Sequence, residues 1–233
     1  MTIHQTIADI QIVEYEDRFA AEVAKMWNKS KEAWGGSVKT EEQIIDQHRS
    51  TDNLHTFLAV HNDEVVGYCG LSVYKEDVGS LYIPLLNVRP DFHGKKVGKL
   101  LLLHVLQAVI NKKWPRLDLY TWAGNTKAVP LYKRCGFFWE DEDSYTHLMN
   151  FIPTILNDKL LAPYMAKIDW YKDMLRTMEL KPDGRNVDGF TYYDYEWVNT
   201  ETALKASFEK TGRGLCALET DDFSIELSLK NHE

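Results

Sequence analysis

Leu86-Asn87-Val88-Arg89-Pro90-Asp91-Phe92-His93-Gly94-Lys95-Lys96-Val97-Gly98-Lys99-Leu100-Leu101-Leu102 is the stretch that decides how this chain is read. An apolar run ends in a Pro-containing turn, a basic loop punctuated by glycine follows, and then a helix begins. A strand entering a helix N-terminus through such a loop makes a phosphate cradle. Its backbone N–H groups and the positive end of the helix dipole converge on one spot. Glycine lets the backbone approach an anion closely, and Lys95, Lys96 and Lys99 add positive charge. The plainer reading is an ordinary strand–turn–helix corner with a solvated basic face. A nucleotide P-loop is excluded, because Gly98-Lys99 is followed by Leu100 rather than Ser or Thr.

Working outward, Gly79 to Val88 reads as the strand that feeds this loop, with Pro84 unable to donate to a sheet ladder. Val97 to Lys112 is the longest helix, its packed side expected at Leu100, Leu101, His104, Val105, Ala108 and Val109. Upstream, Ile10 to Tyr15 reads as a short strand and Arg18 to Trp34 as a helix stopped by Gly35-Gly36. Lys39 to His48 reads as a second helix capped by Thr40. Leu54 to His61 and Glu64 to Tyr74 form a hairpin turning at Asn62-Asp63. Downstream come a strand, Leu117 to Trp122, and then Asn125-Thr126-Lys127-Ala128-Val129-Pro130-Leu131-Tyr132-Lys133-Arg134-Cys135-Gly136-Phe137. The latter reads as a short helix capped by Asn125, interrupted by Pro130 and closed by Gly136. Phe137 to Glu140 and Tyr145 to Leu148 complete a mixed α/β sheet.

The two quoted blocks resemble those of the GNAT superfamily of N-acetyltransferases, over roughly residues 5–150. The first resembles its acetyl-CoA loop, V-x-P-x-x-[RQ]-G-x-G-x-[GA]. Val88, Pro90, Gly94 and Gly98 match, His93 stands where Arg or Gln is usual, and Lys96 replaces the middle glycine. The second resembles N-x-x-A-x-x-x-Y-x-x-x-G-F, matched at Asn125, Ala128, Tyr132, Gly136 and Phe137. The resemblance implies a mostly antiparallel sheet with splayed central strands and flanking helices. It also implies direct acetyl transfer from acetyl-CoA, a co-substrate, to an amine, with no metal.

On this resemblance, backbone N–H groups from Phe92 through Lys99, Val97 and Gly98 among them, grip the diphosphate. Lys96 is tolerable there if its φ stays negative, and His93 can offer a ring N–H to phosphate. The backbone of Leu86, Asn87 and Val88 pairs with the pantetheine amides, as an added strand would. The Val88 N–H polarises the thioester oxygen. Asn125 holds pantetheine or caps its helix, and Tyr132 is the general acid at the sulfur, with half-buried packing as its plainer role. Trp27, Trp34 and His48 line the acceptor pocket or pack in the core. No base is assigned: Leu81 to Val88 holds no acid, and Glu76, Asp77 and Asp118 read as solvated surface charges.

The net charge of −8 argues against nucleic-acid binding, and a basic loop in an acidic chain suits a polyanionic donor and a cationic acceptor. Nothing approaches the ~20 apolar residues of a membrane span, and residues 1–5 carry no signal-peptide pattern. Three scattered cysteines (Cys69, Cys135 and Cys216) point to reduced buried thiols and a cytoplasmic protein. Beyond residue 150 the resemblance stops. Thr154 to Met178 reads as helical, broken near Pro163, and Lys181-Pro182-Asp183-Gly184 as a turn. Four strands follow: Tyr192 to Val198, Ala203 to Glu209, Leu215 to Glu219 and Phe223 to Leu229. The expected organisation is a GNAT domain over 1–150, a helical linker over 151–182 and a small antiparallel β domain over 183–233, part of a longer natural chain as one option. The expected partner is a small-molecule or peptide amine, without nucleic acid or membrane, and a homodimer is open to it. The alternative is a degenerate GNAT domain that binds acyl-CoA, or serves as a scaffold, without turnover.

Overall fold

A computed structural model describes residues 9–31, 36–75, 79–175, 177–210, 213–222 and 224–229. The expectations at Trp34, Gly35, Glu76, Asp77 and Phe223 lie outside the described residues. In chain order these residues form β1 (Ile10–Glu14), α1 (Ala20–Lys29), α2 (Glu41–Ser50), β2 (Asn53–His61), β3 (Glu64–Val73), β4 (Ser80–Ile83) and β5 (Leu86–Val88). Next come α3 (Val97–Asn111), β6 (Arg116–Trp122), α4 (Val129–Arg134), β7 (Phe138–Glu142), β8 (Tyr145–Asn150), α5 (Ile152–Asn157) and α6 (Ala162–Met165). A π-helical turn (Trp170–Leu175) leads to β9 (Glu179–Val187), β10 (Phe190–Val198), β11 (Thr202–Glu209), β12 (Gly214–Thr220) and β13 (Ser224–Leu229). None of the described helices is long and apolar enough to cross a membrane.

The chain divides into two compact units. One holds the residues up to Val73 together with Ile83–Val105; the other holds Tyr74–Tyr82 and the chain from Leu106 onward. In the first, β1 and β3 pair antiparallel with β2, and β5 pairs antiparallel with β3. The β2–β3 turn is the expected one: Asn62 and Asp63 both take positive φ, 49° and 61°, as a two-residue hairpin requires. Thr40 closes a capping box on α2, its hydroxyl accepting from the Gln43 N–H. Buried Ala20, Val23, Met26 and Ile44 from α1 and α2 meet Leu58, Val65 and Tyr68 of the sheet. At Gly67, a Cβ would lie 2.8 Å from Leu101 and 3.0 Å from Val97, so the missing side chain is what lets α3 approach β3. The buried stripe of α3 is Val97, Leu101, Leu102, Val105, Leu106 and Val109. Leu100 and Ala108 are half-exposed and His104 is exposed, so the expected stripe was rotated by about one position.

In the second unit the strand order is β4-β6-β8-β7, with β6–β8 and β7–β8 antiparallel. A separate five-stranded antiparallel meander, β13-β12-β11-β10-β9, follows. The region expected as a turn at 181–184 lies inside β9, and the chain reverses instead at Asp188 and Gly189, φ 52° and 85°. Thr154 to Met178 is broken into α5, α6 and the π-helical turn. Phe138 and Phe151 pack on Tyr193, Tyr195 and Phe208 of β10 and β11, so aromatic side chains fasten the meander to the strands before it.

Candidate functional site

β5 has one strand partner among the described residues. The Arg89 N–H to Val66 O and Gly70 N–H to Leu85 O bonds, both 2.9 Å, fix the phase of its ladder. Antiparallel alternation then turns the N–H and C=O of Asn87 toward Tyr68, its register partner, and those of Leu86 and Val88 toward the opposite edge. The backbone groups of Leu86 and Val88 therefore face away from β3, while the Asn87 backbone is committed to it. The Asn87 side chain is buried instead, and its Nδ2 has no partner among the described residues.

Beyond β5, Arg89 builds the loop. Its guanidinium grips Asp91 through Nε (2.7 Å) and Nη2 (3.0 Å), reaches Glu64 through Nη1 (2.7 Å) and lies over the Phe92 ring. Hydrogen bonding to Arg89 holds both carboxyls below their ordinary range. Pro90–Phe92 forms a 3-10 turn, with the His93 N–H on Pro90 O and the Lys95 N–H on Phe92 O. Among the described residues, the N–H groups of Gly94, Lys96, Val97 and Gly98 have no acceptor, and the Leu100 N–H donates to Lys96 O in the first turn of α3. Residues 93–96 are exposed, and Lys99 follows in the first turn of α3.

Two expectations change here. Lys96 has φ +65°, beside Gly94 at +76°, so the residue in the glycine position keeps the left-handed backbone a glycine would take. His93 directs Nε2 at Val88 O, 2.8 Å away; a carbonyl can only accept, so the Nε2–H is donated to the chain's own backbone.

Asn125 and Tyr132 belong to the second unit. The Asn125 carboxamide donates to Thr121 Oγ1 (2.7 Å) and accepts from the Ala128 N–H (3.1 Å), a capping role that ties β6 to the turn before α4. Pro130 stands in the first turn of α4, where no N–H is needed, so it starts the helix rather than interrupting it. Tyr132 is 7% exposed, its ring edge-on to Phe137 at 6.0 Å. Gly136 closes α4 with φ +88°.

Asp118 is not a surface charge. It is fully buried, bound bidentately by Arg116 (2.7 Å twice), and His147 Nε2 lies 3.3 Å from Oδ2. His147 stacks on Tyr120 at 4.4 Å; Tyr120 shares a 2.9 Å hydroxyl contact with Tyr74, and Tyr82 stacks on Tyr74. Glu140, Glu142 and His147 bring ligand-type atoms within 4.8 Å of one another, and Lys210 Nζ supplies the positive charge, 2.8 Å from Glu140 and 3.4 Å from Glu142. Burial works to raise the Glu140 carboxyl, but the bond to Lys210 and its charge outweigh this and hold it low. In the first unit, His48 donates Nδ1–H to Ile44 O, accepts from the Tyr68 hydroxyl at 3.2 Å and stacks on Tyr15. Burial pulls its pKa down. Trp27 takes Lys39 Nζ over its ring.

A family model described as "Acetyltransferase (GNAT) family" matches residues 21–137. The chain belongs to this family. It is 34% identical over 92 residues to spore coat polysaccharide biosynthesis protein SpsD of Bacillus subtilis (strain 168), a match covering 39% of this chain and 30% of that one. It is 34% identical over 88 residues to mycothiol acetyltransferase of Streptomyces coelicolor, covering 37% and 28%. The matches thus span less than a third of the length of these curated relatives. Among solved structures, the PaiA N-acetyltransferase of Thermoplasma acidophilum in complex with coenzyme A aligns with a TM-score of 0.50 at 20% identity, over 61% of this chain and 98% of that one. The ribosomal-protein-S5-alanine acetyltransferase of Vibrio fischeri aligns at 0.55 and 12% identity, over 68% and 98%. The GNAT fold is thereby shown, with a second antiparallel sheet in the C-terminal region.

Within the GNAT frame, sequence reading missed Arg89, Arg116, His147 and the tyrosines Tyr74, Tyr82 and Tyr120. For the two arginines the signal was the i, i+2 spacing of Arg89 with Asp91 and Arg116 with Asp118, which lets one guanidinium grasp a carboxylate two residues on.

Proposed function

We propose that this chain is an acetyl-CoA-dependent N-acetyltransferase that moves acetyl directly to an amine of a small molecule or peptide. One observation carries the reading: among the described residues the N–H groups of Gly94, Lys96, Val97 and Gly98 have no acceptor, and they lie within five residues at the N-terminus of a helix that follows a strand with one strand partner. A diphosphate fits that set of donors, and Lys95, Lys96 and Lys99 add charge. The coenzyme A complex of the PaiA neighbour, a protein with the same fold, is consistent with it.

Acetyl-CoA supplies an activated acyl carbon and a thiol leaving group. The Leu86 and Val88 main chain orients the pantetheine amides, and the Val88 N–H polarises the thioester oxygen. His93 must leave Val88 O if that carbonyl is to join the pairing. Asn125 holds the turn that presents α4, and Tyr132 protonates the departing sulfur. The new C–N bond replaces the C–S bond; the amine nitrogen gives up its proton to solvent, and the Tyr132 phenolate takes one back from solvent. The half-buried rings of Tyr82 and Tyr120 favour a cationic acceptor, as does the chain's charge of −8.

The test pairs thermal stabilisation by acetyl-CoA with thiol release across a panel of primary amines, polyamines and peptide N-termini. Stabilisation with release supports the enzyme. Stabilisation without release on any amine favours the sensing or scaffolding alternative, and the absence of both refutes the cofactor reading.

A further inference from the structure

α4 has six residues, too few to hold its own conformation or direction. What fixes it lies at its C-terminal end. The Tyr132 carbonyl accepts from the Cys135 N–H (2.9 Å) and the Phe137 N–H (3.2 Å), which wraps the chain back through Gly136. Lys133 O accepts from the Gly136 N–H at 3.1 Å, and two further carbonyls are satisfied from farther along the chain. Cys135 O accepts from Asn150 Nδ2 at 2.8 Å, and Gly136 O accepts from the Tyr195 hydroxyl at 2.7 Å. The same hydroxyl accepts the Phe151 N–H at 3.1 Å. Tyr195 is fully buried, and its ring meets Phe138 edge-on at 4.4 Å. A Cβ on Gly136 would come within 2.9 Å of Leu175, on the π-helical turn. That turn is fixed in its own right by Trp197, whose Nε1 donates to Asp173 O and to Thr177 Oγ1, both at 3.0 Å. Tyr195 and Trp197, two residues apart on one face of β10, therefore secure the end of α4 directly and through Leu175.

We infer that Tyr195 is a positioning residue for Tyr132, which makes the C-terminal meander a working part of the acetyl-transfer site. The inference rests on Tyr132 being the proton donor. With the Tyr195 hydroxyl in place, the end of α4 has one position. Without it, Gly136 O and the Phe151 N–H lose their shared partner inside the protein, and the helix that carries the phenol can shift. Small displacements of a reacting group lower rates severely while leaving distant binding intact.

The test is a double-mutant cycle on the full chain, using thiol release from acetyl-CoA with the best acceptor from the amine panel. Tyr132→Phe is expected to lower kcat by about 100-fold or more, and Tyr195→Phe by about 10-fold, with KM for acetyl-CoA unchanged. In the Tyr132→Phe background, Tyr195→Phe should change kcat less than about 2-fold, because its effect passes through the phenol. Tyr193→Phe, on the same strand as Tyr195, removes a hydroxyl bonded to Glu140 of β7 and should leave kcat unchanged. If Tyr195→Phe is too unstable to assay, Leu175→Ala loosens the same Gly136 contact without removing a hydrogen bond and should reproduce the non-additive loss. Equal losses in both backgrounds, or Tyr195→Phe kcat within about 2-fold of the parent, overturn the positioning role alone. A Tyr132→Phe enzyme at full rate, or no turnover on any amine, overturns the reading beneath it, and the positioning role falls with it.

Discussion

Replacing Lys96 with glycine should stabilise this protein although it removes a side chain and a charge. Lys96 sits at φ +65°. That region costs an L-residue about 1–2 kcal/mol. Glycine's greater freedom in the unfolded chain takes back about 0.4–1 kcal/mol, leaving a net gain of about 0.5–1 kcal/mol. For a chain of this size that is a rise in Tm of about 1–4 °C. Lys96→Ala is the control, because it loses the same charge and keeps the strained backbone. Being exposed, it should stay within about 0.5 kcal/mol of the parent. Gly94→Ala is the mirror image: nothing lies within 4 Å of the added Cβ, so its cost of about 1 kcal/mol comes from φ +76° alone. Urea unfolding of the parent and three variants gives the stabilities, and acetyl-CoA titrations of Lys96→Gly against Lys96→Ala isolate the backbone's effect on binding. A Lys96→Gly protein no more stable than Lys96→Ala would refute the strain argument.

Asp118→Asn should destabilise the fold by about 3 kcal/mol, since it leaves Arg116 buried without its charge partner; a surface aspartate would cost under about 0.5, and thermal unfolding separates the two. Arg89 should shape the acid limb of stability. Glu64 and Asp91 titrate below their ordinary 4.5 and 3.8 when folded, so their contribution is present above those values and is lost as pH falls through the depressed ones. In Arg89→Gln, urea midpoints measured from pH 6 to pH 2 should fall less steeply than in the parent; parallel curves would contradict the coupling.

The blocks around Gly94 and Gly136 were legible because their chemistry is local. A hairpin at Asn62-Asp63, a capping box from Thr40 to Gln43 and a glycine closing α4 need only neighbours in sequence to form. Asp118 was misread because its burial depends on distant residues: His147 on β8, and Lys210, whose carbonyl accepts from Nη1 of the neighbouring Arg116. β9 was hidden because Pro182 and Gly184 carry turn signals, and the strand accommodates them at a register shift opposite Tyr192 and Asp194. The role of Asn87 was half legible: the strand was evident, but only the ladder's phase shows that its backbone faces β3. Tyr195 carried no signal, since nothing local marks a tyrosine that bonds a carbonyl 59 residues earlier.

The central claim is that backbone amides at the mouth of α3 take the diphosphate. An amide-resolved NMR titration with acetyl-CoA, repeated with inorganic pyrophosphate, tests it most directly. The Gly94, Lys96, Val97 and Gly98 resonances should shift downfield with both ligands, saturating together. If those four stay in place while acetyl-CoA perturbs other residues, the cradle is not where the cofactor binds.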